Sequence, residues 1–252
     1  MIMILDNAYK KQLGRYEFAI KYCSGKTLDY SFASIMSYYG SKILLDNGIE
    51  EIFSYDISNN EEELSHRKLD LNKKIVYSNF NETYTHENNS IDSIIFSEIV
   101  NEKNITNNKL NYFNKILKSN GVLIISTLNK NNKSLIFDNK SNHNYFSKSE
   151  FIELLEKNFS NIELFSQKLI SKKDMRYMKF KSFTKLKIKI KFLLSMILSK
   201  FDKKSNFYNS YLKNENQDKT QKINAKDYSI IPYEKNHNPL FFVAVCHKTN
   251  EL

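Results

Sequence analysis

Glycine, proline, cysteine and tryptophan are scarce here: five, two, two and none in 252 residues. Average usage would put glycine near about 7%, roughly three times this content. Glycine supplies positive φ and lets backbone press close against a phosphate or cofactor. An ordinary glycine-rich nucleotide cradle is therefore not expected. Collagen, elastic linkers and Pro/Gly-rich low complexity are excluded as well. Cys23 and Cys246 cannot make a disulfide scaffold or a thiolate zinc site. The five histidines show no metal spacing such as HExxH, so no metal is expected. No window reaches 18 consecutive apolar residues, so no spanning helix is expected. The N-terminal MIMILDNAYKK lacks the basic start and long apolar stretch of a signal peptide. A cytoplasmic location is the expectation.

Other residues are plentiful. Hydrophobic side chains make up 41%, with 16 Tyr and 18 Phe, enough for a sizeable core. At this length one decorated α/β domain is expected rather than two. The 32 asparagines, with abundant lysine and isoleucine, resemble the footprint of an AT-rich coding sequence. A lysine here is accordingly weak evidence for a ligand contact.

The formal net charge of +10 is not spread evenly. Between Lys168 and Lys204 there are 13 Lys or Arg against Asp174 and Asp202, a net of +11, which leaves the remainder near −1. In that segment Phe183, Leu186, Ile190, Leu193, Ile197 and Phe201 recur at helical spacing, with Lys185, Lys189 and Lys200 off the stripe. A basic amphipathic helix can pack as a lid with its lysines solvated, lie on an anionic membrane, or meet a nucleic acid backbone. Nucleic acid is the least favoured of the three. Residues 202–226 are polar and read as a mobile stretch.

Along the chain, helical spacing predicts a helix over 8–23, closed by Gly25 as a C-cap. A short strand follows at 26–30, then a helix over 34–47 ending at Gly48. Strands are predicted at 49–57 and 75–78, with a weakly patterned helix at 59–73 between them. A buried strand is read in 90–100. A helix over 109–118 stops near Gly121, before the apolar strand VLIIST at 122–127. That continuous apolar character fits a parallel strand covered on both faces. After an Asn/Lys-rich loop at 130–145, Ser147 and Glu150 form a capping box for a helix reaching Phe159. Strands at 161–171 and 240–245 complete the pattern. Alternating strands and helices predict a doubly wound, mostly parallel α/β sheet. Three regions are expected: a core over 1–170, the basic insertion with its polar tail over 171–226, and the final strands over 227–252.

In such a sheet, ligands sit beyond the carboxyl ends of the strands near the switch point. Asp29 follows the first strand and Asp56 ends the second. A carboxylate at the second strand's tip can accept ribose hydroxyls, and it can equally cap a helix.

RYEFAIKYCSGKTLD at 15–29, YYGSKILLDNGIEEIFSYDIS at 38–58 and IDSIIFSEI at 91–99 resemble class I S-adenosylmethionine-dependent methyltransferases. NKILKSNGVLIISTLNK at 114–130 and HNYFSKSEFIELLEKNFSNIELFSQ at 143–167 continue the likeness. The branch resembled is the one found with surface-polysaccharide and lipid-linked sugar pathways. It implies a seven-stranded sheet whose last strand is antiparallel, and S-adenosylmethionine as the cofactor. The acceptor implied is a small-molecule or lipid-linked saccharide, and the basic helix Phe183–Phe201 becomes a lid or a peripheral membrane contact. By position, Asp29, Tyr30 and Ser31 border the cofactor's methionine end, with Gly40 and Ser41 starting the helix behind it. Asp56 and Ile57 flank ribose and adenine, and Asn79 and Phe80 follow the third strand near the adenine amine. Arg15 and Tyr16 cover the carboxylate side, where a guanidinium is a bidentate partner. Ser97 faces the reactive sulfonium.

The sequence also departs from that family. Its first loop, DYSFASIMSYYG, is longer by about three residues and holds no glycine before Gly40. The family's second glutamate and histidine after the fourth strand are Val100 and Asn101, and the proline before Asn129 is Leu128. That histidine is the obvious general base. Glu98 could orient an acceptor hydroxyl or simply face solvent, and His143 could act in catalysis or be structural. Two readings stay open: a methyltransferase with a remodelled loop, in which proximity and orientation drive transfer, and a fold kept as an inactive binding or scaffold module.

Overall fold

In a computed structural model, residues 2–31, 34–56, 75–79, 86–99, 103–132, 145–169 and 228–248 are described. Helix α1 spans Ile2–Ala19, followed by β1 at Lys26–Ser31, α2 at Ser34–Asp46, β2 at Glu51–Asp56 and β3 at Ile75–Asn79. Next come β4 at Ile91–Ile99, α3 at Lys103–Ile116, β5 at Leu117–Leu128, α4 at Lys148–Glu156 and β6 at Asn161–Leu169. The chain returns as β7 at Ile230–Pro232 and β8 at Pro239–His247.

The sheet order is β3-β2-β1-β4-β5-β8-β6-β7. Strands β1 to β5 pair in parallel, and β8 runs antiparallel between β5 and β6. This is the expected mixed sheet, six strands running one way with the last reversed. The three-residue β7 adds an antiparallel edge beside β6. Sequence pattern missed it, because three residues ending in proline carry no periodicity; proline suits an edge, where its missing N–H leaves no ladder bond unmade.

Burial on both faces explains the apolar strand runs. One face packs Leu28, Tyr55, Ile94, Phe96 and Leu123 against Leu110 and Phe113 of α3 and Phe151 and Leu155 of α4. The other packs Ile52, Ile95, Ile124 and Val245 against Tyr16, Phe18 and Ala19 of α1 and Leu44 of α2. The capping box is present: Glu150 N donates to Ser147 Oγ at 3.3 Å, and Ser147 N donates to Glu150 Oε2 at 2.7 Å. Lys130 adds an ion pair at 2.8 Å, which with the Ser147 N–H holds the Glu150 carboxyl down at about 2.

Three expected boundaries are corrected. Helix α1 ends at Ala19, so Gly25 is not its cap. With φ of +54°, Gly25 instead leads into β1, where a Cβ would strike the Asp92 carboxylate. That carboxylate accepts from Lys26 N at 2.9 Å and from Lys118 Nζ at 2.9 Å. Second, α3 stops at Ile116, and Gly121 falls inside β5. Leu117 pairs with Ile91, but the next pair is Ser93 with Val122, so residues 118–121 loop out around Asn120 at φ +66°. Third, α1 begins six residues earlier than its apolar spacing indicated. The expected helices at 59–73 and Phe183–Phe201, and the polar stretch 202–226, lie outside the described residues.

Lys109 of α3 sits 5.1 Å from the Tyr30 ring centroid and 5.5 Å from that of Phe96. Burial drops its amine to about 8. A folded value below the unfolded one means the folded state disfavours the charged amine, so stability rises as pH climbs from about 8 to the ordinary lysine value of 10.5 and then levels off. Lys109→Met is therefore expected to raise the urea midpoint at pH 7, and that advantage should shrink by pH 10.5. An unchanged or lower midpoint at pH 7 would show that the two ring contacts outweigh the burial cost.

Candidate active site

Strand β1 is flanked by β2 and β4, so the chain reverses its winding direction between β1 and β4. The carboxyl ends of these two strands form the crevice that doubly wound sheets use for ligands. Asp29 pairs in register with Ile95, and Tyr30 with Phe96, which brings Ser31 and Ser97 to the same level. On the far side of β1, Ser31 pairs with Asp56, and Asp56 with Asn79. Four of the expected residues thus line up across the tips of β1 to β4.

Alternation along a strand then separates side chains by face. Asp29 points to the α1 layer and is fully buried, accepting from Tyr16 Oη at 2.8 Å. Next to Tyr16 on α1, Arg15 is 3% exposed. Its Nε donates to Gln167 Oε1 at 2.9 Å, Nη1 reaches Gln12 Oε1 at 3.4 Å, and the guanidinium lies 4.8 Å from the Phe241 ring centroid. A cavity of about 10 Å³ runs beside it, lined by Arg15, Ser97 and Ser126 with apolar walls that include Phe18 and Ile230. That is room for about one water.

Gly40 belongs to this group for a different reason. A Cβ there would fall inside the Tyr16 ring, so the glycine is required by close packing of α2 on α1. Ser41, one residue on, and Ser54, in register with Asp29, have buried hydroxyls without a hydrogen-bond partner. The layer therefore holds polar capacity that the protein does not itself use.

Tyr30 is placed elsewhere. Its ring lies in the α3 layer, stacked on Tyr55 at 4.6 Å and edge-on to Phe96. Burial, then the neighbouring Tyr55 and Tyr112, push its hydroxyl well above the ordinary range. Its side chain thus serves the core, away from Arg15 and Asp29. Beside this stack, Tyr55 Oη and His86 Nε2 are 2.8 Å apart, and burial lowers the His86 imidazole below its ordinary value. The side chains of Ser31, Asp56, Asn79 and Glu98 are not described, and Ile57, Phe80 and His143 lie outside the described residues.

Gln167, Gln12 and Phe241 belong to no motif that marks them in the sequence. A glutamine in a strand has no motif, and its burial together with Phe165 and Ser166 becomes visible only in the folded strand. The cysteines stay chemically quiet: burial pushes the Cys23 thiol to about 12 and raises that of Cys246 also. Among the described residues, no group of three His, Cys, Asp or Glu side chains could hold a metal ion. Nor is any helix among them long and apolar enough to cross a membrane.

The donor set suits one end of S-adenosylmethionine. A zwitterionic amino-acid group needs a cation and an anion close together, and adjacent α1 residues bring the Arg15 guanidinium and, through Tyr16, the Asp29 carboxylate into one layer. The Gly40 position, by contrast, is filled by the Tyr16 ring and offers no open backbone cradle.

No family model matches the sequence, and no curated protein matches it. Solved structures do match. An S-adenosylmethionine-dependent methyltransferase of Thermotoga maritima, described as a possible histamine N-methyltransferase, is 10% identical with a TM-score of 0.53, covering 98% of this chain and 96% of that one. One from Archaeoglobus fulgidus is 14% identical at TM-score 0.53, covering 98% and 100%. Phosphoethanolamine N-methyltransferase 2 of Haemonchus contortus, solved with S-adenosyl-L-methionine, is 15% identical at TM-score 0.51, covering 90% of this chain and 49% of that one. Strand order, reversed last strand and these likenesses together identify the fold of this chain as that of the class I S-adenosylmethionine-dependent methyltransferases.

Proposed function

We propose that this protein is an S-adenosylmethionine-dependent methyltransferase. The observation that carries the reading is the burial of a cation, Arg15, and an anion, Asp29, in the α1 layer at the β1–β4 crevice, charges that match an α-amino-acid zwitterion. Arg15 would hold the carboxylate, and Asp29, steadied by Tyr16, would face the ammonium. Asp56, the last residue of β2 and level with Ser31, would accept the ribose hydroxyls. Ser97 and Ser126 border the same cavity and would orient what lies there through their hydroxyls. When bound, the cofactor supplies an electrophilic methyl group. The chain's own contribution is alignment and exclusion of water, the kind of catalysis that orientation can supply. We further propose a sugar or lipid-linked saccharide as acceptor, with Phe183–Phe201 as a lid or membrane-proximal element. Support for that refinement comes from the sequence resemblance.

The alternative, an inactive binding module, draws on the filled Gly40 position and the narrow cavity. Titration calorimetry with S-adenosylhomocysteine tests both. Micromolar binding is expected, weakened roughly 30-fold, about 2 kcal/mol, in Arg15→Met. No heat at millimolar ligand would sink the methyltransferase reading. Binding without turnover across a panel of glycan acceptors would favour the module.

A further inference from the structure

We propose that Gln167 is a positioning residue, which fixes the Arg15 guanidinium in the attitude that receives the methyl donor's carboxylate; this rests on the reading of the site given above. Gln167 is fully buried on β6, the strand two places from β5. Its Nε2 donates to Lys11 O at 3.0 Å and to Tyr228 O at 3.1 Å. Both amide hydrogens are thereby committed to backbone carbonyls, so the amide can take only one orientation. A flipped amide would set its oxygen against two carbonyls and its NH₂ against a guanidinium. Oε1 must therefore face Arg15 Nε, and it accepts from it at 2.9 Å.

A second restraint comes from the neighbouring strand. Gln167 pairs in register with Phe241 of β8, whose ring centroid is 4.8 Å from the guanidinium carbon. Phe241 restrains the guanidinium by lying against it, and Gln167 fixes its rotation. On the other side Gln167 pairs with Ile230, which lines the cavity. One cross-strand row, Phe241–Gln167–Ile230, therefore supports the cation and walls the cavity it borders. Gly14 permits the arrangement: a Cβ there would sit 2.7 Å from Tyr228 O and 3.5 Å from Gln167 Nε2. Holding a flexible arginine in its bound attitude beforehand lowers the ordering cost of binding.

A purely structural tie between α1 and β6 would affect every ligand alike, so the test compares two ligands. S-adenosylhomocysteine carries the amino-acid carboxylate, and 5′-methylthioadenosine lacks it. Calorimetry is expected to show Gln167→Leu binding S-adenosylhomocysteine about tenfold more weakly and 5′-methylthioadenosine as wild type does. Phe241→Leu keeps an apolar wall and should give the same selective loss if Gln167→Leu does not fold. Equal weakening of both ligands, or unchanged S-adenosylhomocysteine binding, overturns the proposal. Wild-type protein that binds neither ligand overturns the methyl-donor reading and this proposal with it, a result distinct from binding that ignores Gln167.

Discussion

Gly40→Ala is expected to cost about 3 kcal/mol of stability, read as a shift in the urea midpoint at constant m-value. The added Cβ falls inside the Tyr16 ring, which has nowhere to go: Tyr16 is 1% exposed and its hydroxyl is bound to Asp29. Either α2 lifts from α1 or the ring swings out and leaves the buried Asp29 carboxylate without its phenol donor. A hydrogen bond to a charged group contributes about 1.5–3 kcal/mol, and overpacking adds a cost of similar size. The mechanism predicts strong coupling. In a Tyr16→Ala background the same Gly40→Ala change should cost less than about 1 kcal/mol, because its clash partner is gone. A full cost there would show that Gly40 is required for some reason other than the ring.

The second large effect lies in the opposite layer. Phe113→Ala is expected to lower stability by about 4 kcal/mol. The ring is fully buried between Tyr30 at 5.2 Å and Phe96 at 5.3 Å. Yet the folded fraction of this variant should bind S-adenosylhomocysteine as wild type does, since Tyr30 and Phe113 face away from Arg15. Arg15→Met should behave in the opposite sense, losing ligand more than stability. Weakened binding in folded Phe113→Ala would mean that the α3 layer shapes the site after all.

The contrast between these layers shows what was legible in the sequence. Periodicity and apolar runs located seven of the eight strands, because burial on one or both faces leaves a pattern in residue type. The capping box at Ser147 and Glu150 was equally readable, being a purely local arrangement. Gly25 misled because a glycine after a helical pattern suits a C-cap, whereas here a distant residue, Asp92, dictates it. Tyr30 misled for a related reason: position in the chain puts it at the crevice, but strand alternation turns its ring to the other face. Asp29 was found from its place by the first strand's end and Arg15 and Tyr16 through resemblance, and their mutual geometry needed the sheet. Gln167 could not be found at all, since its role depends on backbone carbonyls 156 and 61 positions away.

The pairing of β6 with β7 has one more consequence. Gln167 and Ile230 are partners across a ladder, so the described residues on either side of 170–227 lie side by side at one edge of the sheet. Loop-closure entropy changes by only about 0.6 kcal/mol for each doubling of length. Evolution could therefore lengthen, trade or recharge that stretch with little effect on the sheet, and an experimenter could splice in a short turn.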